Sequence, residues 1–220
     1  NTMTSQIRGL NQAVRNANDG ISMLQTADGA MIEQTNMLQR MRELAVQSAT
    51  DTVTTSQKGY LDVEYQKLLG EIDRIGLMTQ WNDTKILDGA TAPASGTAGT
   101  YVFHVGAQDT QTISVTFKGA ISTAGGIFVD TGGTDIKTDV KANTAITKID
   151  LSFTELNKAR AEIGATINRL TYAADNLSNV STNTAGSRSR IQDTDYAVAA
   201  AELARTQIIQ QAGTAMLAQA

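Results

Sequence analysis

Cysteine is absent from this chain, and proline and histidine occur once each, at Pro93 and His104. Without cysteine there is no disulfide framework and no cysteine-type zinc site, although an extracellular protein can do without both, so the compartment stays open. A single histidine leaves no His-Glu-x-x-His motif and no Cys/His cluster, so the common zinc sites are unsupported and a Ser-His-Asp set has nothing convincing to stand on. Aromatic residues make up only 5% of the chain, and beside so much Ala, Leu, Ile, Met, Thr and Gln that scarcity describes thin helical packing around small side chains. Charge is nearly balanced. A net charge of −4 offers no electrostatic basis for nucleic acid or an anionic membrane as partner. No stretch is apolar and long enough to span a bilayer, and no charged-apolar-small signal peptide begins the chain.

What is present is periodicity. Over residues 1–49 one register is apolar at every seventh position, filled by Met3, Leu10, Ala17, Leu24, Met31, Leu38 and Ala45. A second register holds Ile7, Val14 and Ile21, then shifts to Ala27, Gln34 and Met41, with Gln34 its one polar member. This is a helix-bundle seam, and at about 1.5 Å per residue such a helix runs roughly 70 Å. Something equally long must cover it. TDTVTTSQ at 50–57 interrupts the pattern; a second helix follows, with Leu61, Tyr65, Leu68, Ile72 and Ile75 at helical spacing and Gly76 as an end signal. The intervening turn is short, which predicts antiparallel helices.

From Asn82 to about Thr138 the composition turns to Gly, Thr, Ala and Ser, with Pro93 and the pairs Gly125-Gly126 and Gly132-Gly133. Two runs rich in β-branched and aromatic residues, Tyr101–Val105 and Thr112–Phe117, predict a hairpin in otherwise loop-like chain with short strands. From Asp139 the strictest pattern begins: Ile146, Ile149, Phe153, Leu156, Arg160, Ile163, Ile167, Leu170, Ala174 and Leu177, all apolar but Arg160. This second long helix, running to about Arg190, can lie along the first. Asp193 or Asp195 then N-caps a last helix, Tyr196 to Ala220, with Leu203, Ile208, Ile209 and Leu217 on an Ala-rich face. The expected fold is mainly α: an elongated antiparallel helical bundle, or rod, with a small β-hairpin and loop region inserted between the helices.

Candidate chemistry is thin. Asp193-Thr194-Asp195 lacks the remaining ligands of a calcium loop and reads as a helix boundary. The glycine pairs lack the Gly-Lys-Ser/Thr of a phosphate loop. Methionines 3, 31 and 41 fall on the seam and read as core. Asn82-Asp83-Thr84, Asn176-Leu177-Ser178 and Asn179-Val180-Ser181 match a glycosylation sequon that is short enough to arise by chance. His104 reads as an ordinary hairpin position. No enzyme activity and no cofactor is expected.

Residues 4–47, EIDRI at 71–75, the hairpin YVFHVGAQDTQTISVTF and residues 187–220 closely resemble bacterial flagellin, in order and over about three quarters of the chain. Departures are Met41 where a β-branched residue is usual, His104 where Gln is usual, and residues 118–138, which match nothing in the pattern. The resemblance implies a non-enzymatic subunit that stacks side by side into an extracellular, secreted helical filament. It implies a rod domain at 1–82 and 139–192, a hairpin and variable loop region at 83–138 packed on the rod end, and a partial C-terminal inner-tube helix at 193–220. Flagellins carry a further N-terminal helix that pairs with the C-terminal one, so the chain resembles a core fragment and its last helix is expected to lack its partner. The implied partners are other copies of the chain, hook-associated junction and cap proteins, a flagellar export chaperone and vertebrate Toll-like receptor 5. Rival readings are a flagellin-like adhesin or receptor acting through residues 90–138, and a hook–filament junction protein.

The most pointed site is QRMRELAVQ at 39–47. Residue spacing alone reads Arg40, Arg42 and Glu43 as a solvated face, with Met41, Leu44 and Ala45 toward the core or its flank. The resemblance maps the contact used in subunit packing and receptor recognition onto Gln39, Arg40, Leu44, Gln47 and Glu64. Arg40 and Leu44 lie one turn apart, and an antiparallel return brings Glu64 alongside, so one outward-facing patch is expected.

Overall fold

The computed structural model describes residues 2–88, 99–117, 135–192 and 196–219. Helix α1 spans Thr2–Ser48, α2 Thr55–Met78 and α3 Asp139–Gln192, with α4 at Tyr196–Gln219. Between α2 and α3 lie strands β1 (Gln80–Trp81), β2 (Thr84–Lys85), β3 (Thr100–His104) and β4 (Thr112–Thr116).

The two long helices run antiparallel, as three polar ties show: Arg42 to Asp150 at 2.8 Å, Arg160 to Asp28 at 2.8 Å, and Ser181 to Asn11 at 2.9 Å. Along this seam Leu10, Ala17, Leu24, Met31, Leu38 and Ala45 of α1 are buried with Ile149, Leu156, Ile163, Leu170 and Leu177 of α3. Arg160 sits in an otherwise apolar register because Asp28 of the facing helix takes its guanidinium. Met3 departs from expectation, at 36% exposed. The ties place it opposite the TNTAGSRS run of α3, whose small and polar side chains cannot roof a methionine.

Helix α2 opens with a capping box, Thr54 bonding the Gln57 backbone while the Gln57 side chain returns to Thr54. It runs antiparallel to α1, with Glu64 beside Arg40 and the Ile72 carbonyl accepting from Gln34 Nε2 at 3.4 Å. Gln34 is fully buried and its Oε1 has no partner. Gly76 does not end the helix: it lies buried within it, and Thr79 closes the last turn, its N–H and hydroxyl both donating to the Ile75 carbonyl.

With 24 residues against the 47 of α1, α2 covers only half of that helix. The strands cover part of the rest. Phe103 lies against Gly20, where an added Cβ would stand 2.9 Å from the ring, and Asn16 donates to the His104 carbonyl at 3.2 Å. The β3–β4 hairpin thus lies along the flank of α1, with Ala107 near Gly9, rather than on a rod end as expected. Ile113, Val115 and Phe117 alternate inward, Tyr101 stacks edge-on with Phe117 at 5.6 Å, and its hydroxyl donates to the Lys85 carbonyl at 2.7 Å. The β1–β2 hairpin, not foreseen individually, turns on Asn82 and Asp83, both at positive φ (48° and 60°), the conformation of a tight two-residue hairpin turn.

Helix α4 differs from the rest. No residue of it whose side chain is described is buried. Nor do its apolar residues form the expected face: at about 100° per residue, Leu203 and Ile208 project about 140° apart. Pro93, the glycine pairs at 125–126 and 132–133, and the N-caps at Asp193 or Asp195 lie outside the described residues, as does the side chain of Leu217.

Candidate interaction surface

Around α1 at residues 39–48 each position is fixed by helical angle. Met41, Leu44, Ala45 and Ser48 are buried, while Gln39, Arg40, Arg42, Glu43, Val46 and Gln47 face outward. Leu44, expected beside Arg40 on the surface, is 1% exposed and belongs to the core. Residues one turn apart differ by about 40° around the axis, and the edge of the buried stripe passes between them.

Arg40 is the centre of the outward face. Its Nε donates to Glu64 Oε1 at 2.8 Å and an Nη to Glu43 Oε2 at 3.0 Å. The hydrogen bond it donates to Glu64, and then that to Glu43, raises its already high pKa, so it carries its charge throughout the accessible pH range. Arg42, on the other side of the helix, forks onto Asp150 at 2.8 and 3.5 Å, which holds its proton in the same way. Between these pairs runs a groove of about 470 Å³ lined by Gln39, Arg42, Glu43, Val46, Gln47 and Phe153, among others. A second depression of about 380 Å³, at the α1–α2 turn, shares Gln47 and adds Tyr60 and Leu61.

The structure therefore brings Gln39, Arg40, Gln47 and Glu64 onto one exposed region, withholds Leu44, and adds Glu43, Val46, Tyr60 and Phe153. Glu43, Val46 and Gln47 were accessible from spacing, because they share a helix face with Gln39. Phe153 was not, since only the α1–α3 packing brings it there. Apolar side chains in shallow grooves, rimmed by paired charges, suit contact with a flat macromolecular surface better than a small-molecule reaction. Among the described residues no group of three or more His, Cys, Asp or Glu is placed to hold a metal ion, and no helix is long and apolar enough to cross a membrane.

Long helices, an apolar stripe along most of their shared seam and, among the described residues, open grooves on the surface define an elongated helical protein that works by packing. Residues 1–92 match the bacterial flagellin N-terminal helical region, and residues 146–220 match the bacterial flagellin C-terminal helical region. The flagellin of Halalkalibacterium halodurans is 41% identical over 218 residues, covering 99% of this chain and 77% of its own length. The flagellar filament 31.3 kDa core protein of Treponema maltophilum is 40% identical over 225 residues, with 99% and 78% covered. Among solved structures, Bacillus cereus flagellin aligns with a TM-score of 0.61 at 33% identity, over 74% of this chain and 88% of that one. A putative flagellar hook-associated protein from Vibrio parahaemolyticus aligns at 0.65 over 84% and 92%, but at 15% identity it shows the shared fold alone. The chain belongs to the bacterial flagellin family, a family of structural proteins, and is a structural subunit of the flagellar filament.

Proposed function

We propose that the region around Arg40 and Glu64, with Gln39, Glu43 and Gln47, is a contact surface by which one subunit packs on another outside the cell, and that Toll-like receptor 5 reads the same region. The observation carrying this is the Arg40–Glu64 pair across two helices. It presents a pre-ordered guanidinium and carboxylate between two grooves with exposed Val46 and Tyr60 at hand. A planar fork beside an apolar side chain is a sound interface anchor. Leu44 supports the surface from beneath and is not part of it.

On this reading residues 1–82 and 139–192 act as the rod, 83–138 as the region open to variation, and 193–220 as the segment buried on assembly. Helix α4 supports the last assignment: with apolar side chains spread around its axis and exposed here, it suits burial among several neighbours, or capture by an export chaperone before assembly. Junction and cap proteins would meet the rod through the same kind of contact. Identity of 41% to a flagellin favours the filament role over the hook–filament junction, whose relative shares only the fold. Receptor binding tests the surface. Arg40→Ala, folded and melting as the parent does, is expected to weaken Toll-like receptor 5 binding at least tenfold; unchanged affinity would reject this use of the surface.

A further inference from the structure

Where the described chain returns at residue 135, ahead of α3, the side chain of Ile136 is fully buried. At that return point three of the buried polar residues, Ser48 of α1 and Lys58 and Asp62 of α2, converge on one short segment. Asp62 Oδ1 accepts the Ile136 N–H at 3.0 Å and is also bonded by Gln66 at 3.4 Å, while its Oδ2 faces Lys137 Nζ at 3.4 Å. The Ser48 hydroxyl donates to the Ile136 carbonyl, and Lys58 Nζ donates to Asp139. Both backbone polar groups of Ile136 are therefore held by side chains, as a receptor holds a bound peptide. Immediately afterward Thr138 opens α3: its hydroxyl accepts the Lys141 N–H at 3.4 Å and its carbonyl the Ala142 N–H at 2.8 Å.

We propose that Ser48, Lys58 and Asp62 form a socket for residues 135–139, a latch that fixes the start of α3 and ties it to α2. The other interhelical ion pairs described above, Arg40–Glu64, Arg42–Asp150 and Arg160–Asp28, all have α1 on one side. Lys58–Asp139 and Asp62–Lys137 instead reach from α2 to the chain entering α3. The latch depends chiefly on the backbone of Ile136, whose N–H and carbonyl are both taken by buried side chains. Opening it releases the first turns of α3 as a local unit and leaves residues 156–177 packed on α1.

Amide hydrogen exchange on the full chain reads the latch directly. In Asp62→Ala, amides 136–142 are expected to exchange at least tenfold faster while those of 156–177 keep the parent's rates. Asp62→Asn retains a carbonyl oxygen for the Ile136 N–H and is expected to stay within about threefold of the parent. Trypsin should cut after Lys137 and Lys141 faster in the alanine variant by a similar factor. Unchanged exchange at 136–142 in Asp62→Ala, or an equal acceleration over all of α3, overturns the proposal. Should Asp62→Ala fail to fold, Ser48→Ala removes only the hydroxyl bond to the Ile136 carbonyl. Local acceleration at 136–142 in that variant supports the latch, and parental rates there overturn it.

Discussion

Helices α3 and α4 adjoin in the chain yet meet opposite fates. In α3, Ile149, Leu156, Ile163, Leu170 and Leu177 fall at seven-residue intervals on one stripe and are buried against α1. In α4, Val198, Leu203, Ile208 and Ile209 are all more than half exposed, and they point in several directions around the axis. Apolar content alone therefore does not dock a helix. A single partner can cover only one stripe, so a helix whose apolar side chains are spread around its axis stays uncovered until several neighbours surround it.

The largest expected effect breaks α3. Ile163→Ala should lower unfolding free energy by about 2–5 kcal/mol, the cost of a cavity in a packed seam. Ile208→Ala in α4, a change of the same chemistry, should alter it by less than about 0.5 kcal/mol, as exposed substitutions do. Urea denaturation of both variants checks the contrast, and equal losses would mean that α4 is docked. A second pair asks the same question of α1. Leu44→Ala should cost about 2–5 kcal/mol, because the side chain is in the core, whereas Arg40→Ala should leave the thermal midpoint nearly unchanged.

These contrasts mark how far the residues alone could lead. Helix α1 was legible from its seven-residue repeat and α3 from the repeat over residues 149–177, with no proline in the small, polar run that carries α3 on to Gln192. The β3–β4 hairpin was legible because its β-branched runs flank a polar turn. Spacing alone reads Leu44 toward the core or its flank, where it lies; the resemblance is what carries it to the outward contact set, and the edge of the buried stripe passes between it and Arg40. The heptad repeat places Met3 in the core but does not reveal that the opposing helix has turned small and polar. Two-residue strands have no period to read, so β1–β2 left only the Asn82-Asp83 turn as a signal. Helix α4 has no single face because Leu203, Ile208 and Ile209 fall at widely separated angles, which residue type alone does not show. Within the interaction surface, Gln39, Arg40, Gln47 and Glu64 were found from resemblance and spacing, while Phe153 required the tertiary fold.

A smaller effect follows from charge. The hydrogen bond from Lys58, then one involving Asp51, holds the Asp139 carboxyl below its ordinary range, and Lys141 does the same for Asp135. Groups lowered in the folded state contribute stability above their unfolded pKa, about 4, and lose it as pH falls through the folded value. Burial pushes the Asp73 carboxyl the other way, so its unfavourable contribution is relieved on acidification. Because the lowered pair sits at the start of α3, thermal midpoints should fall below about pH 4, and Asp139→Asn should flatten that decline. A profile that is steeper in the variant would contradict the assignment.

Hydrogen exchange in dilute solution tests the contrast between α3 and α4 most directly. Amides of residues 146–177 should be strongly protected and those of 196–219 should exchange at rates near those of an isolated helix. Equal protection in the two segments would show that α4 is covered in the single chain, and the account of it as a helix awaiting several neighbours would be wrong.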